Sequence, residues 1–207
     1  MSIRALLALL LPSAYWAMVL ANIESVRRRT GTAPALSPSL KEERILRLGW
    51  HLVIAAWFLQ PALLLAWDGA LWWPFRPLRF AGAPAAAAGL ALAIAGLALT
   101  KWCHLAMGEQ WRMWVDPGRP SLLVARGPFR WVRHPIYASQ ALVLWGTWLL
   151  APTPFLGLAA ALHLACMGKK SSLEERHLLG LHGAGYESYR KRTGRFVPRI
   201  PSRRRAL

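Results

Sequence analysis

The sequence is short of acidic residues and of cysteine, and each shortage argues against a class of protein. It holds 9 Asp and Glu against 26 Lys and Arg, a net charge of +17. Its two thiols, Cys103 and Cys166, form no CxxC pair and have no His at metal-ligand spacing. Neither a disulfide framework nor a zinc site is therefore indicated. No glycine-rich turn follows a strand pattern, so a Rossmann cofactor domain is not indicated either.

What the sequence does contain is long apolar runs, and its basic residues collect between them. Apolar residues make up 55% of the chain. A soluble domain rarely combines so high an apolar content with so high a net charge. Excess positive charge is also typical of nucleic-acid binding, but no reader motif is present. Because membrane topology alone accounts for the segregation, we predict an integral membrane protein with no nucleic-acid partner.

Apolar stretches predict about five transmembrane helices, since a helix needs about 20 residues to cross the hydrocarbon core. The stretches run from Ile3 to Ile23, Gly49 to Ala66, Ala81 to Thr100, Ile136 to Ala151 and Phe155 to Met167. Pro152-Thr153-Pro154 separates the last two and predicts a tight helical hairpin. The third is rich in Ala and Gly, which lets helices approach closely in lipid, and we expect it at the centre of the bundle. The predicted fold class is all-α, a polytopic membrane helix bundle.

The distribution of basic residues predicts the orientation in the membrane. With the N-terminus outside, the outer segments hold only Arg4, Arg76 and Arg79, and all other basic residues lie inside. We therefore predict a multi-pass protein with a cytosolic C-terminus, in a bacterial inner membrane or the endoplasmic reticulum. The long loop from Lys101 to Pro135 and the polar segment after Gly168 then share the cytosolic face.

Polar clusters flank the predicted hairpin on that face. The first ends in Arg133-His134-Pro135-Ile136-Tyr137, and the second is helical with Lys169, Lys170, Glu174, Glu175 and Arg176. A short turn brings the two ends of a hairpin side by side, so we expect the clusters to form one pocket. Pairing of Arg133 with one carboxylate is the purely structural alternative. Adjacent helix positions point in different directions, so one of the two glutamates is expected in the pocket and the other in the scaffold.

A set of short motifs follows one order in this half of the chain. They are Gly127-Pro128-Phe129, Arg133-His134-Pro135-Ile136-Tyr137, Glu174-Glu175, Gly183 with Tyr186 and Tyr189, and Arg195-Phe196-Val197-Pro198. With the hairpin between them, they resemble the motif series of isoprenylcysteine carboxyl methyltransferases and phospholipid methyltransferases. The resemblance covers about Gly108 to Pro198. Two positions depart from the pattern: Phe129 replaces a Tyr, and His182 stands where a Phe precedes the Gly.

The resemblance implies a membrane methyltransferase that uses S-adenosylmethionine as its cofactor. Residues 1–107 would form the first three transmembrane helices with a cytosolic loop, and residues 108–207 the methyltransferase core. The cofactor would enter from the cytosol, and a lipid-like or other hydrophobic acceptor would arrive from the bilayer. The implied cofactor-binding residues are Ser121, Leu122, Leu123, Val124, Phe129, His134, Pro135, Ile136, Tyr137 and Glu174. Lys170 falls near the family's substrate-facing basic residue.

The chemistry of S-adenosylmethionine fits these residue types. Its ammonium needs an acid such as Glu174, its carboxylate a donor such as Arg133 or His134, and its adenine an apolar or aromatic wall such as Phe129. A carboxylate acceptor needs no general base, whereas an amine must lose a proton to His134, Glu175 or a water. The candidate catalytic residues are therefore Arg133, His134 and Glu175. The acceptor stays open between a prenylated cysteine carboxylate, a phospholipid amine and a small thiol.

Other interpretations of the chain are a membrane reductase that uses a nicotinamide cofactor and a non-enzymatic transporter or scaffold. In the second, the charged cluster would only hold the hairpin together. The stretch from Glu109 to Arg112 either closes over the acceptor or lies on the surface. His51, His104 and His163 are isolated in or beside apolar stretches, where buried structural roles are more common than functional ones. The sequence does not indicate an oligomeric state.

Overall fold

The computed structural model describes residues 3–38, 41–66, 72–78, 82–116, 118 and 122–199. In this part of the chain, helices joined by loops make up the regular secondary structure. Its helices are α1 (Ile3–Thr30), α2 (Lys41–Ala66), α3 (Ala83–Met107), α4 (Pro135–Leu150), α5 (Pro154–His182) and α6 (Ala184–Arg192). Short 3-10 turns cover Gly108–Gln110 and Gly127–Arg130. Extended pairing in these residues is limited to one isolated bridge, between Val132 and Gly194. The predicted all-α fold class is confirmed.

Within the described ranges, three helices are long and apolar enough to cross a membrane. They are α1, α2 and the segment Ala83–Gln110, which continues α3 through a 3-10 turn. The 16 residues of α4 extend only about 24 Å at 1.5 Å per residue. In α5, which has 29 residues, the apolar stretch ends near Met167 and the polar remainder projects beyond it. The final hairpin thus combines two short apolar arms with one long polar extension.

Glycine allows the backbones of α3 and α4 to approach each other closely. A Cβ at Gly146 would lie 2.5 Å from the carbonyl oxygen of Gly89 and 2.7 Å from the backbone nitrogen of Ala93. A Cβ at Gly96 would lie 2.8 Å from the carbonyl oxygen of Ser139. Small residues therefore mediate helix packing here, as the Ala- and Gly-rich third stretch predicts. This packing fixes the start of α4. The motif Arg133-His134-Pro135-Ile136-Tyr137, called RHPIY below, lies there.

The position of α3 in the bundle differs from the prediction. This helix packs mainly against α4 and also against α1, whereas α2 packs mainly against α5. Helix α1 also contacts α2, and α4 also contacts α1 and α5. Helices α1 and α4 therefore connect the two pairs and form the centre of the bundle. The small residues of α3 serve one close helix pair, so the expectation of a central third helix is corrected.

Backbone hydrogen bonds gather the loops at two opposite ends of the bundle. The Leu78 N–H donates to the Pro152 carbonyl at 2.7 Å, which joins the loop after α2 to the hairpin turn. At the other end, the Trp114 N–H donates to the Ala35 carbonyl at 3.2 Å, which joins the loop after α1 to the loop after α3. The segments with most of the basic residues therefore share one end. Which side of the membrane that end faces stays a prediction.

Candidate functional site

The two ends of the final hairpin meet around Glu174. The Tyr137 hydroxyl donates a hydrogen bond to Glu174 Oε1, and His134 Nδ1 lies 3.4 Å from Glu174 Oε2. The other ring nitrogen of His134, Nε2, lies 3.1 Å from Glu175 Oε1. The rings of His134 and Tyr137 are stacked, with their planes 12° apart. The RHPIY motif at the start of α4 is thereby joined to both carboxylates of α5.

Glu175 and Arg133 form a partly buried ion pair that joins three elements. Arg133 Nε donates to Glu175 Oε1 at 2.9 Å, and the guanidinium also donates to the carbonyl of Thr193 after α6. Arg195 Nε lies 3.4 Å from the same carboxylate oxygen. Burial would raise the pKa of Glu175, but hydrogen bonds from His134 and Arg133 outweigh it and lower that pKa to about 2. Glu175 is therefore ionised at neutral pH and fully engaged by its partners.

Backbone contacts hold the C-terminal RFVP motif against the segment before α4. The Arg133 N–H donates to the Gly194 carbonyl at 2.8 Å, and the His134 N–H donates to the Arg195 carbonyl at 3.0 Å. From α6, the Tyr189 hydroxyl donates to the Phe129 carbonyl at 2.7 Å. Motifs that are up to 60 residues apart in sequence thus converge on one site.

A cleft opens beside this cluster, between the end of α3, the start of α4, and helices α5 and α6. Its lining residues are Met107, Gln110, Trp111, Arg112, Trp114, Val115, Asp116, Leu122, Leu123, Val124, Phe129, Arg133, His134, Ile136, Tyr137, Glu174, His177, Leu178, Tyr186 and Tyr189. Glu174 lines the cleft, whereas Glu175 lies on the other side of the cluster, in a surface hollow beside α6. The two adjacent glutamates therefore have different surroundings, as their helical positions predict.

Most of the residues predicted to bind a cofactor line the cleft. They are Leu122, Leu123, Val124, Phe129, His134, Ile136, Tyr137 and Glu174. Pro135 begins α4 and is buried outside the cleft wall. The prediction for Ser121 lies outside the described residues. The cleft therefore brings together residues from the two flanks of the hairpin.

Residues 111–115 form one wall of the cleft. The sequence alone did not predict this role for them. Trp111 and Trp114 are 4% and 5% exposed, and both line the cleft. The Val115 N–H lies 3.4 Å from Glu43 Oε1, an acceptor on α2, so distant segments of the chain hold this wall. Gln110 and Arg112 line the cleft as well. On α5, the turn after Glu174 adds His177 and Leu178, and helical spacing alone predicts these two positions.

Lys170 is buried beneath the tryptophan wall. Its ammonium donates to the Met113 carbonyl and lies 3.8 Å from the ring centroid of Trp114. Only 3% of the residue is exposed, and burial lowers the pKa of the ammonium, against the raising effect of Glu174 and Glu43. The side chain contributes to a second cavity on the bundle side of the wall. This cavity is lined by Tyr15, Trp16, Val19, Trp50, His104, Trp111, Arg112, Met113, Trp114, Ile136, Tyr137, Gln140 and Lys170.

The two cavities share a partition. Trp111, Arg112, Trp114, Ile136 and Tyr137 line both of them. One cavity faces the carboxylate cluster, and the other is surrounded by aromatic residues of α1 and α2. Within the described residues, no group of three or more His, Cys, Asp or Glu is placed to hold a metal ion. The arrangement therefore has two adjacent cavities that share a wall.

The protonation of His134 makes the stability of the site depend on pH. Burial would lower the pKa of His134, but hydrogen bonds and charges of Glu174 and Glu175 outweigh it and raise the pKa above 6.5. A raised pKa stabilises the fold fully below pH 6.5, and this stabilisation is lost as pH rises through the folded-state value. We expect the melting temperature of wild type to exceed that of His134→Gln most at pH 5.5 to 6, with a smaller difference at pH 8.5 and above. Thermal unfolding in detergent across this range measures it. A difference independent of pH would contradict the protonated state.

Comparison with known proteins shows which proteins the core of the chain is similar to. Residues 84–184 match the sequence profile of the phospholipid methyltransferase family. The nickel-cobalt-cadmium resistance protein NccN of Alcaligenes xylosoxydans xylosoxydans is 30% identical over 95 residues, 45% of this chain and 45% of NccN. The solved structure of a eukaryotic intramembrane Ras methyltransferase, isoprenylcysteine carboxyl methyltransferase, aligns with a TM-score of 0.52 and 22% identity. That alignment covers 80% of this chain and 55% of the other. The chain thus spans about half the length of the relatives it matches.

Together with the apolar helices, these similarities define an integral membrane protein with the fold of membrane methyltransferases. Residues 84–184 are similar to the phospholipid methyltransferase family, and the predicted resemblance to the isoprenylcysteine carboxyl and phospholipid methyltransferase group is confirmed. The family segment includes all of α4 and α5, with His134, Tyr137 and Glu174.

Proposed function

We propose that the cleft binds S-adenosylmethionine and that the chain transfers its methyl group to a hydrophobic acceptor. The observation that carries this proposal is the state of Glu174. Its carboxylate lines an otherwise largely apolar and aromatic cleft, held by Tyr137 and His134. Burial would raise the pKa of Glu174, but the His134 hydrogen bond and the Lys170 charge outweigh it and lower that pKa. An ionised carboxylate in such a place is suited to bind a ligand ammonium.

The remaining wall fits the other parts of the same ligand. The segment 122–124, Phe129 and Tyr186 offer apolar and aromatic contacts for an adenine ring. Arg112 and His177 lie on the cleft wall as possible donors to a ligand carboxylate. When bound, S-adenosylmethionine would supply a sulfonium-linked methyl group for in-line displacement. The protein's contribution to that step is to hold donor and acceptor in contact, an effect worth up to roughly 7 to 11 kcal/mol.

Arg133 and Glu175 take a positioning role in this proposal. Glu175 does not line the cleft, and its carboxylate is engaged by Arg133, His134 and Arg195. The Arg133 guanidinium is likewise committed to Glu175 and to the carbonyl of Thr193. We therefore replace the catalytic role predicted for these two residues with one in which they orient His134 and fix the end of α6.

The second cavity is the proposed acceptor site. Its partition with the cofactor cleft is one layer of side chains thick, and aromatic residues of α1 and α2 surround it. A hydrophobic acceptor that enters between membrane helices would meet polar side chains that include Lys170, Gln140, Arg112 and His104. A buried ammonium favours an anionic acceptor group, because the two charges compensate each other in the low-dielectric interior. An anionic acceptor also needs no general base.

Cofactor binding by the purified protein tests this function. We expect saturable binding of radiolabelled S-adenosylmethionine that S-adenosylhomocysteine displaces and NADPH does not. Incubation of membranes with the methyl-labelled cofactor then shows whether label enters lipid, protein or a small volatile product. Saturable NADPH binding without S-adenosylmethionine binding would establish the reductase alternative. Binding of neither, with an intact fold, would leave the charged cluster a scaffold only.

Replacement of Lys170 separates the acceptor from the cofactor. We expect Lys170→Met, which keeps the side-chain volume, to lower S-adenosylmethionine affinity only a few-fold, because the Glu174 carboxylate keeps its contacts with His134 and Tyr137. Methyl transfer should fall about tenfold or more, because an anionic acceptor loses its counter-charge. Isothermal titration and a methyl-transfer assay measure the two quantities. The matched control is Lys169→Met, one position away and exposed. Full methyl transfer by Lys170→Met on every accepted substrate would contradict the acceptor role.

A further inference from the structure

A third cavity lies between α1 and α3, apart from the cofactor cleft. Its polar lining residues are Asn22, Ser25 and Arg29 of α1 with Lys101 and His104 of α3. The other lining residues are Met18, Ala21, Val26, Leu105 and Gly108. On each helix the lining positions are separated by three or four residues, so they share one face and the two faces oppose each other.

Two buried polar atoms at this cavity have no hydrogen-bond partner. Asn22 Nδ2 and His104 Nε2 form no hydrogen bond within the described part of the chain. The His104 side chain belongs to a residue that is only 4% exposed, so bulk water does not compensate it. A buried polar group without a partner costs free energy. Asn22 Nδ2 donates to oxygen acceptors, and His104 Nε2 does so in the tautomer that places the ring proton on it.

The charges around the cavity are of one sign. Arg29 and Lys101 supply two cations, and no Asp or Glu is among its lining residues in the described ranges. Glu24, on the same helix, is instead paired with Arg27 at 2.7 Å and Arg28 at 2.6 Å. The cavity therefore presents cations and donors without an internal counter-charge. This combination fits an anionic ligand with several oxygen atoms.

The place of the cavity points to the membrane as the source of that ligand. Both helices that form it are long and apolar enough to span a bilayer, and the cavity lies near the basic end of each. Leu105, which is 65% exposed, and Met18 extend the lining along the apolar surface of the bundle. Basic residues at such a position lie at the depth of lipid headgroups, and the apolar residues at the depth of acyl chains.

We propose that this cavity binds the phosphate of an anionic membrane phospholipid. Arg29 and Lys101 contact the phosphate charge, and Asn22 and His104 donate hydrogen bonds to its oxygens. His104 also lines the second cavity, so the bound lipid lies next to the proposed acceptor site. Binding needs no methyl donor, so the inference stands independently of the proposed function.

Native mass spectrometry of the full chain in detergent tests the proposal. We expect wild type to retain one dioleoyl phosphatidylglycerol and to bind dioleoylglycerol, which has no phosphate, about tenfold or more weakly. Phosphatidylcholine should bind more weakly than phosphatidylglycerol, because its ammonium is repelled by the two cations. Equal binding of dioleoylglycerol and phosphatidylglycerol would overturn the phosphate site.

Variants locate the site on the chain. Arg29→Gln/Lys101→Gln should weaken phosphatidylglycerol binding about tenfold or more, by loss of two charge-assisted contacts. The control Arg44→Gln/Arg47→Gln removes the same charge from exposed positions on α2 and should change binding less than about twofold. Unchanged affinity in the first variant would exclude this cavity.

A neutral variant and a competitor complete the test. Asn22→Leu changes no charge, and we expect it to weaken phosphatidylglycerol binding several-fold with little change in the melting temperature. Inorganic phosphate at millimolar concentration should not displace the lipid, because the acyl chains add apolar contact that free phosphate lacks. Displacement by phosphate at that concentration would mean that the cavity holds a soluble anion, and would overturn the lipid assignment.

Discussion

Glu174→Gln should reduce S-adenosylmethionine affinity about 30-fold or more, the largest functional effect we expect from a single isosteric change. The variant keeps an oxygen that accepts the Tyr137 hydrogen bond, so the hairpin ends remain joined. What it loses is the negative charge that pairs with the ligand ammonium. Removal of one partner of a desolvated charge pair costs about 2 to 5 kcal/mol, which corresponds to at least 30-fold in affinity. Isothermal titration with S-adenosylmethionine measures the change.

The control for this variant is Glu187→Gln. Glu187 lies on α6 and pairs with Arg190 at 2.9 Å on the surface, away from the cleft lining. Its replacement removes the same charge from the same part of the chain and should leave cofactor affinity within about twofold, since exposed pairs contribute little. If Glu174→Gln binds S-adenosylmethionine as tightly as Glu187→Gln does, the ammonium site must lie elsewhere.

Gly146→Val should cause the largest loss of stability. A Cβ at this position would lie 2.5 Å from the Gly89 carbonyl oxygen and 2.9 Å from the Ala93 Cβ, so α3 and α4 must separate to accommodate it. Overpacking of this kind costs about 3 kcal/mol, and for a chain of this length we expect a drop in melting temperature of about 6 to 12 °C. Thermal unfolding in detergent measures the drop.

The matched control for helix packing is Gly168→Val. Gly168 lies inside α5, and a Cβ there would meet no atom within 4 Å. The same substitution should therefore leave the melting temperature within a few degrees of wild type. Comparable losses in the two variants would show that glycine content, and not the close approach of α3 and α4, determines stability.

The helices and the hairpin could be predicted because their signals are local. Apolar runs of defined length and the turn at Pro152-Thr153-Pro154 identify the elements, and the Thr153 hydroxyl accepts the Leu156 N–H to cap α5 as a turn of this type requires. The partners of each helix could not be predicted. In lipid, apolar residues cover every face of a helix, so the sequence carries little information on which face packs against a neighbour.

The candidate site likewise has residues that could be predicted from the sequence and residues that could not. Tyr137 and Glu174 could be predicted to meet, because one short turn links the helices that carry them. Residues 111–115 could not be placed, because their loop has no periodicity and its position depends on contacts with the loop after α1 and with α2. Lys170 could be predicted as a charged residue at the polar end of the hairpin, but its burial under Trp114 depends on that same loop.

The pairing of residues 132–134 with residues 194–195 also determines when the site can exist during biosynthesis. A nascent chain that has inserted α1 to α5 already carries Tyr137, Glu174 and Glu175. It still lacks residues 194–195, which hydrogen-bond to the backbone of residues 132–134, and the two tyrosines of α6. The cleft is therefore complete only after Arg195 has left the ribosome. Insertion into the membrane and completion of the proposed cofactor cleft are consequently separate events in the maturation of the chain.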